Sequence, residues 1–346
     1  MYRVAVIKGD GIGPEVVDSA IRVVNSVTDR IRFYEFEGGF EVFKRIGSPI
    51  SEDDLKEIRK MDAILFGATT TPFNVPGYRS LIVTLRKELD LYANLRIIPD
   101  LSNGKEIVIV RENTEGLYAR DGIGFSDRAI DFRIITLEGA RRIAKFAINL
   151  AKERNSFITF VHKANVLKGD RFFREIVLEI AEREGVEVRE AIIDSFMIKL
   201  VKNPWDHGVI LTENMFGDII SDLATIHAGS IGIVPSGNYG DEIALFEPIH
   251  GSAPDIAGKG IANPIGAILS AAMMLDYLGL NGKVVWEATR RYVRYGNLTP
   301  DMGGTATTSE VTKGIISEIY SFDPFDIDEI WVEEIRLGRI PLTLWR

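Results

Sequence analysis

The 346-residue chain contains no cysteine, which excludes disulfides, thiolate zinc sites and cysteine nucleophiles. It also contains no glutamine, and with plentiful Glu, Arg and Lys this fits a thermophile's avoidance of heat-labile side chains. No apolar run approaches the roughly 18 residues of a membrane span, so no membrane association is expected. The opening Met1-Tyr2-Arg3-Val4 leads straight into a strand-like stretch. It lacks the basic, apolar and small-residue layout of a secretion signal, so a cytoplasmic location is expected. There is no excess of positive charge: the formal net charge is −9. That argues against a nucleic-acid partner, because phosphate binding needs a basic surface. A local basic pocket for a small acidic ligand remains compatible with it. No linker rich in Pro, Gly and Ser divides the chain, and no repeat or low-complexity tract occurs.

What is present suits two domains packed directly on each other. Apolar residues make up 46% of the chain, enough for a sizeable core. Apolar strands are expected at Val4 to Ile7, Ile31 to Phe36, Ala63 to Phe66, Ile107 to Val110 and Phe157 to Val161. Helices are expected at Pro14 to Val27, at Ser51 to Lys60 with Ser51 as N-cap, and at Ser80 to Leu89. Leu137, Ala140, Ile143, Ala144, Ala147, Leu150 and Ala151 mark one face of a long helix. Strands alternating with helices imply an α/β fold with a largely parallel sheet. Gly116 to Phe132 is the least regular stretch, either a surface loop or an arm that pairs with another subunit. The last 25 residues carry Trp331, Ile335, Leu337, Ile340, Leu342 and Trp345 and are expected to pack on the body or on a neighbour.

Five constellations could carry chemistry. Gly9-Asp10-Gly11-Ile12-Gly13-Pro14-Glu15 looks like a dinucleotide fingerprint but has the wrong residues at positions 14 and 16; alone it reads as a tight strand-to-helix turn. Arg86, Arg96 and Arg111 either converge on a polycarboxylate, for which the planar guanidinium is the preferred clamp, or are solvated surface residues. Asp218 and Asp222 stand four apart, so on a helix they share a face. They either hold Mg²⁺ or Mn²⁺ through oxygen or are an ordinary acidic face. Flanking Ile219, Ile220 and Leu223 suggest an element that is half buried. Lys163 follows a strand end, where α/β proteins place ligand sites. It is a candidate base or a surface lysine, and His162 beside it reads as a structural hydrogen-bonding residue. The run from Glu247 to Pro264 is a long shaped loop whose last proline opens a helix.

In that order and combination, the chain resembles the β-decarboxylating dehydrogenases, the family of isocitrate, homoisocitrate and 3-isopropylmalate dehydrogenases. The matching stretches are Lys8 to Glu15, Leu85 to Arg96, Arg111 to Tyr118, His162 to Leu167, Asn214 to Asp222 and Glu247 to Pro264. The resemblance runs from Met1 to about residue 320. It implies a two-domain α/β fold with a cleft between the domains and no standard Rossmann domain. Residues 1–97 with 229–346 would form a large, cofactor-binding domain, and 98–228 a small domain with metal ligands and dimer clasp.

The resemblance also implies roles. Arg86, Arg96 and Arg111 would hold the substrate's carboxylates, with Asn165 and Thr71 also on the substrate. Asp218, Asp222 and Asp194 would bind Mg²⁺ or Mn²⁺. Asp194 and Lys163 would come from the partner of a homodimer, alone or paired into a tetramer. Lys163 would serve as base and Tyr118 as acid. Glu247, His250, Gly251, Ser252, Ala253, Asn263 and Thr70 would line the cofactor site. Asp255 would hydrogen-bond the ribose of NAD and repel the phosphate of NADP. The tract around Arg79 and Ser80 looks most like homoisocitrate dehydrogenases and favours a third carboxylate, as in homoisocitrate or isocitrate. The alternative is 3-isopropylmalate, with Leu81, Ile82 and Val83 as its apolar pocket, and a non-catalytic regulatory subunit is the rival from another class.

Overall fold

Val4, Ala5, Val6 and Ile7 form an unbroken apolar run, the pattern of a strand covered on both faces. All four are fully buried in β1 (Tyr2–Gly9). The computed structural model describes residues 1–72 and 75–322. After β1 come α1 (Gly13–Val27), β2 (Ile31–Glu35), α2 (Phe40–Ile46), α3 (Glu52–Ile58), β3 (Ala63–Ala68) and α4 (Leu81–Glu88). The middle of the chain holds β4 (Ala93–Asp100), β5 (Lys105–Glu112), β6 (Gly116–Gly124), β7 (Ala129–Ile134), α5 (Leu137–Glu153), β8 (Ile158–His162) and α6 (Lys168–Glu184). Then follow β9 (Val188–Ile192), α7 (Ile193–Lys202), β10 (Val209–Thr212) and α8 (Asn214–Ala224). The last elements described are β11 (Pro235–Tyr239), β12 (Ala244–Pro248), α9 (Ile265–Tyr277), α10 (Lys283–Tyr295) and α11 (Thr308–Ser321).

Ten strands form one sheet in the order β2-β1-β3-β12-β11-β4-β5-β10-β8-β9. The outer pairings are parallel, but the three at the centre, β12·β11, β11·β4 and β4·β5, are antiparallel. The expected largely parallel sheet therefore holds only in the two wings. The reason is connection length. β4 to β5 and β11 to β12 are joined by only four residues each, which closes an antiparallel pair but cannot make a parallel crossover. The wings consequently run in opposite directions, and the candidate site sits where they meet.

The local signals act as expected in several places. Ser51 caps α3 by accepting from the Asp54 N–H at 3.0 Å. Pro14 sits in the first turn of α1. Pro264 precedes α9, whose residues Ile265 to Leu275 are all buried between α1 and the sheet. The apolar face of α5 is buried from Ala140 to Ala151, but Leu137 at its first turn is 43% exposed, so the stripe extends past what the core covers. The stretch around Gly116 to Phe132 is a separate two-stranded ribbon of β6 and β7, with a break in register between Gly116 and Asp121, that exposes Ile123, Phe125, Ile130 and Phe132. The apolar segment with Trp331 and Trp345 lies outside the described residues.

Candidate active site

Strand register lines up the basic and acidic groups. Glu247 of β12 stands opposite Ser236 of β11, and Ser236 opposite Arg96 of β4. Asn94 of β4 stands opposite Arg111 of β5, and Arg111 opposite Thr212 of β10, the strand that leads into α8. Arg86 reaches in from the last turn of α4 and pairs with Glu247 at 3.0 Å. A buried chain of hydrogen bonds links these groups. Asn238 donates to Glu247 at 2.8 Å, and Asn94 donates to Asn238 at 3.1 Å and Ser236 at 2.8 Å. Arg96 Nε in turn donates to Asn94 at 2.8 Å. The three arginines thus converge, and Arg111 is 1% exposed.

Two of them, Arg96 and Arg111, meet on α8. Arg96 reaches Asp218 at 3.2 Å and Asp222 at 3.4 Å, so one guanidinium spans both carboxylates and the pair do share a helix face. Arg111 pairs with Asp218 and is held by Asn214 at 2.8 and 3.1 Å. Gly217 makes the approach possible: a Cβ there would lie 2.5 Å from Arg111 Cγ. Tyr118, on β6, donates its hydroxyl to Asp218 at 2.6 Å, and the Arg111 guanidinium lies 5.1 Å from its ring centre. Burial lowers the Arg96 and Arg111 guanidiniums, the latter to about 10, which leaves it cationic at neutral pH. Burial pushes the Asp218 carboxyl up, but Arg111 and Arg96 outweigh it and hold it below the usual range. Burial, then the bond to Asp218, raises the Tyr118 phenol and keeps it protonated.

The glycine turn after β1 is a packing device that shapes a neighbouring loop. Gly9 and Gly11 have φ of +71° and +60°, and a Cβ on Gly11 would lie 1.9 Å from the Ser252 carbonyl oxygen. The Ile12 N–H donates to that oxygen at 2.9 Å. Ser252 and Thr70 hydroxyls meet at 2.8 Å, and Asp10 accepts from the Thr70 N–H at 2.9 Å. Ala253 follows with φ +38°. His250 is buried, and burial lowers its pKa, so it is neutral; its Nδ1 lies 2.9 Å from the Gly251 carbonyl and its Nε2 has no partner. Asn263 is buried and donates to Asp301 at 3.0 Å, while Asp255 and Gly251 are exposed.

Lys163 and Asp194 form an ion pair with each other. Among the described residues no hydrogen bond or ion pair joins them to the Asp218 group. The Lys163 loop is fixed through its backbone: Asp170 accepts from the Lys163 N–H at 2.6 Å and His162 Nδ1 from the Ala164 N–H at 3.1 Å. His162 is thus the structural hydrogen-bonding residue expected. Asn165 lies on this loop, and its carbonyl accepts from Arg171 at 3.3 Å. Ser80 is buried at the start of α4, and its hydroxyl has no hydrogen bond among the described residues, while Arg79 is half-buried and Thr71 exposed. Sequence reasoning missed Asn94, Ser236, Asn238, Asn214 and Ser221. For the strand residues the signal was polar residues two apart, Asn94 with Arg96 and Ser236 with Asn238, which places each pair on one face.

The donor set at α8 suits a hard divalent cation: two carboxylates on one face, both partly open to solvent. Among the described residues of one chain, no third acidic or histidine side chain completes the group.

Comparison with known proteins agrees with this architecture. The family model for isocitrate/isopropylmalate dehydrogenase matches residues 3–315. An isocitrate/homoisocitrate dehydrogenase of Pyrococcus horikoshii is 74% identical over 344 residues, covering 99% of this chain and 100% of its own. One of the same description from Thermus thermophilus is 44% identical over 331 residues, covering 92% of this chain and 99% of its own. The crystal structure of a β-decarboxylating dehydrogenase from Thermococcus kodakarensis superposes with a TM-score of 0.88 at 70% identity, covering 96% of this chain and 99% of that one. The expected α/β fold of this family is thereby matched, and the chain belongs to the isocitrate/isopropylmalate dehydrogenase family.

Proposed function

We propose that the protein catalyses NAD- and divalent-metal-dependent oxidative decarboxylation of a 2-hydroxy acid bearing a β-carboxylate. Homoisocitrate and isocitrate are the substrates, and the products are the 2-oxo acid, CO₂ and NADH. The observation that carries this reading is the convergence of Arg96 and Arg111 on the Asp218–Asp222 face of α8, with Arg86 beside them on Glu247. A surface of that composition clamps carboxylates while leaving oxygen ligands for a cation. Bound NAD supplies the hydride acceptor and bound Mg²⁺ or Mn²⁺ the Lewis acidity.

The residues then divide the work. Asp218 and Asp222, with Asp194 lent by a second subunit, would hold the cation. The arginines hold the carboxylates and set the hydroxyl-bearing carbon in place. Lys163, also lent, takes or relays the hydroxyl proton as the C–H hydride leaves. The β-carboxylate then departs as CO₂, its bonding electrons moving toward the new carbonyl. Tyr118, kept protonated by burial and Asp218, delivers a proton to the carbon that lost CO₂. Glu247, His250, Ser252, Asn263 and Asp255 form the NAD side. We place the cleft between residues 1–97 with 229–346 and the middle segment 98–228.

The choice of a tricarboxylate is supported at α4. The Ser80 hydroxyl has no hydrogen bond among the described residues, and of the alternative apolar trio Leu81 is fully buried in the core, which leaves only the half-buried Ile82 and Val83 for an isopropyl group. The test is kcat/KM with NAD and Mg²⁺ for homoisocitrate, isocitrate and 3-isopropylmalate on one preparation. Tricarboxylates winning by roughly tenfold or more supports the reading; 3-isopropylmalate winning moves the protein to the other substrate. No NADH from any of them overturns the enzymatic reading altogether.

A further inference from the structure

Away from the substrate groups lies a buried charged cluster that the reaction does not use. Arg133, on β7 of the ribbon, places Nη1 2.5 Å from Asp170 Oδ1 and Nη2 3.3 Å from Glu213 Oε2. Asp170 is 1% and Glu213 3% exposed. These are ion pairs by distance without hydrogen-bond alignment: among the described residues Arg133 Nε and Nη2, Asp170 Oδ1 and Glu213 Oε2 have no hydrogen-bond partner. Each acid uses its other oxygen on a backbone N–H beside the site. Asp170 Oδ2 accepts from Lys163 N at 2.6 Å, and Glu213 Oε1 caps α8 by accepting from Phe216 N at 2.7 Å. Arg133 also lies 5.5 Å from the Phe216 ring centre.

We propose that Arg133 is a positioning residue that ties together the two half-sites of one chain, the Lys163 loop through Asp170 and the Asp218–Asp222 helix through Glu213. The inference rests on the shared-site reading above, in which Lys163 serves the partner and α8 serves its own chain. Arg133 then sets the geometry of two different active sites of a dimer at once. β7 also pairs with β6, the strand of Tyr118, so the same cation anchors the ribbon that carries the proposed acid. The physical warrant is that two buried acids share one cation. Without it both carry unpaired charge, and each relaxes by moving the backbone it holds. A shift of about 1 Å at a catalytic group costs up to roughly 100-fold.

The test uses hybrid dimers of the full chain, co-expressed with two tags. A Tyr118→Phe chain paired with a Lys163→Met chain has one intact site, built from Tyr118 of the second and Lys163 of the first. At that intact site, Arg133→Met in the first chain probes the Asp170–Lys163 limb, and in the second chain the Glu213–α8 limb together with the ribbon of Tyr118. The expected result is a kcat loss of roughly tenfold from either placement, with KM for the acid changed less than about threefold. Arg133→Lys should recover most of it. Mn²⁺ affinity, read from the magnetic-resonance signal of free Mn²⁺, should weaken at one of the dimer's two sites whichever chain carries the change, because each chain supplies one Asp218–Asp222 pair, and should keep the parent value at the other. Full activity from either placement overturns the link, as does Arg133→Lys failing alongside Arg133→Met with a matching loss of melting temperature. An unmodified hybrid no more active than its parent homodimers defeats the shared-site reading itself, and the link with it.

Discussion

Gly11→Ala tests whether the glycine turn shapes the cofactor side. The residue has φ +60°, which costs an alanine about 1–2 kcal/mol. The steric problem is larger. The new Cβ would lie 1.9 Å from the Ser252 carbonyl oxygen and 2.9 Å from Ser252 Cβ. Ordinary contact begins near 3.4 Å, so that carbonyl must retreat by about 1.5 Å, the difference. The move breaks the Ile12–Ser252 bond at 2.9 Å and the Ser252–Thr70 contact at 2.8 Å. Misplacement on this scale costs up to roughly 100-fold, here expected in KM for NAD and not in KM for the acid. Gly47→Ala is the control. It has φ +74° at the end of α2 with nothing within 4 Å of its Cβ, so it carries the backbone cost alone. Initial rates with NAD and acid varied separately, together with calorimetric melting of both variants, decide the matter. A Gly11→Ala enzyme with KM for NAD within twofold of the parent, or one that merely matches Gly47→Ala, would falsify the reasoning.

Three further outcomes are expected. Arg79→Met and Ser80→Ala should each lower kcat/KM for homoisocitrate by roughly tenfold while leaving 3-isopropylmalate within threefold, since each removes one bond to a distal carboxylate; equal losses on both acids would count against it. Asp255→Ala should narrow the preference for NAD over NADP by roughly tenfold, read from kcat/KM for each cofactor. Asp276→Asn should stabilise the protein as pH rises. Burial pushes the Asp276 carboxyl up to about 7 against the pull of the Gly282 N–H and Lys283, while an unfolded aspartate ionises near 3.9. Between those values the folded state holds a proton that the unfolded state has released, so this group costs stability progressively up to about pH 7. The melting-temperature gap between variant and parent should therefore be absent near pH 4 and fully open above 7; a gap independent of pH would show that Asp276 is not the titrating group.

Much of the local structure was legible. The burial of β1, the Ser51 cap, the opening of α9 after Pro264 and the shared face of Asp218 and Asp222 each depend on residues within about one helical turn of each other. The structural role of His162 was also visible. Less legible were the antiparallel centre of the sheet and the ribbon of β6 and β7. β11 and β12 are only five residues each, and β11 carries Ser236 and Asn238, so neither gives a sustained apolar signal. Leu137 matched a periodicity that outran its packing partner.

By itself, then, the sequence determined what nearest neighbours along the chain decide: helix faces, caps, turn glycines and the order of motifs that places the chain in its family. Only the tertiary structure decided that Arg96 and Arg111, from two strands, meet over one helix, and that Asn94 and Asn238 link Arg96 to the Glu247 partner of Arg86 beneath. It also decided that Arg133 stands between Asp170 and Glu213. Such convergence follows from strand register and direction across a ten-stranded sheet, and those depend on pairings between segments far apart in sequence.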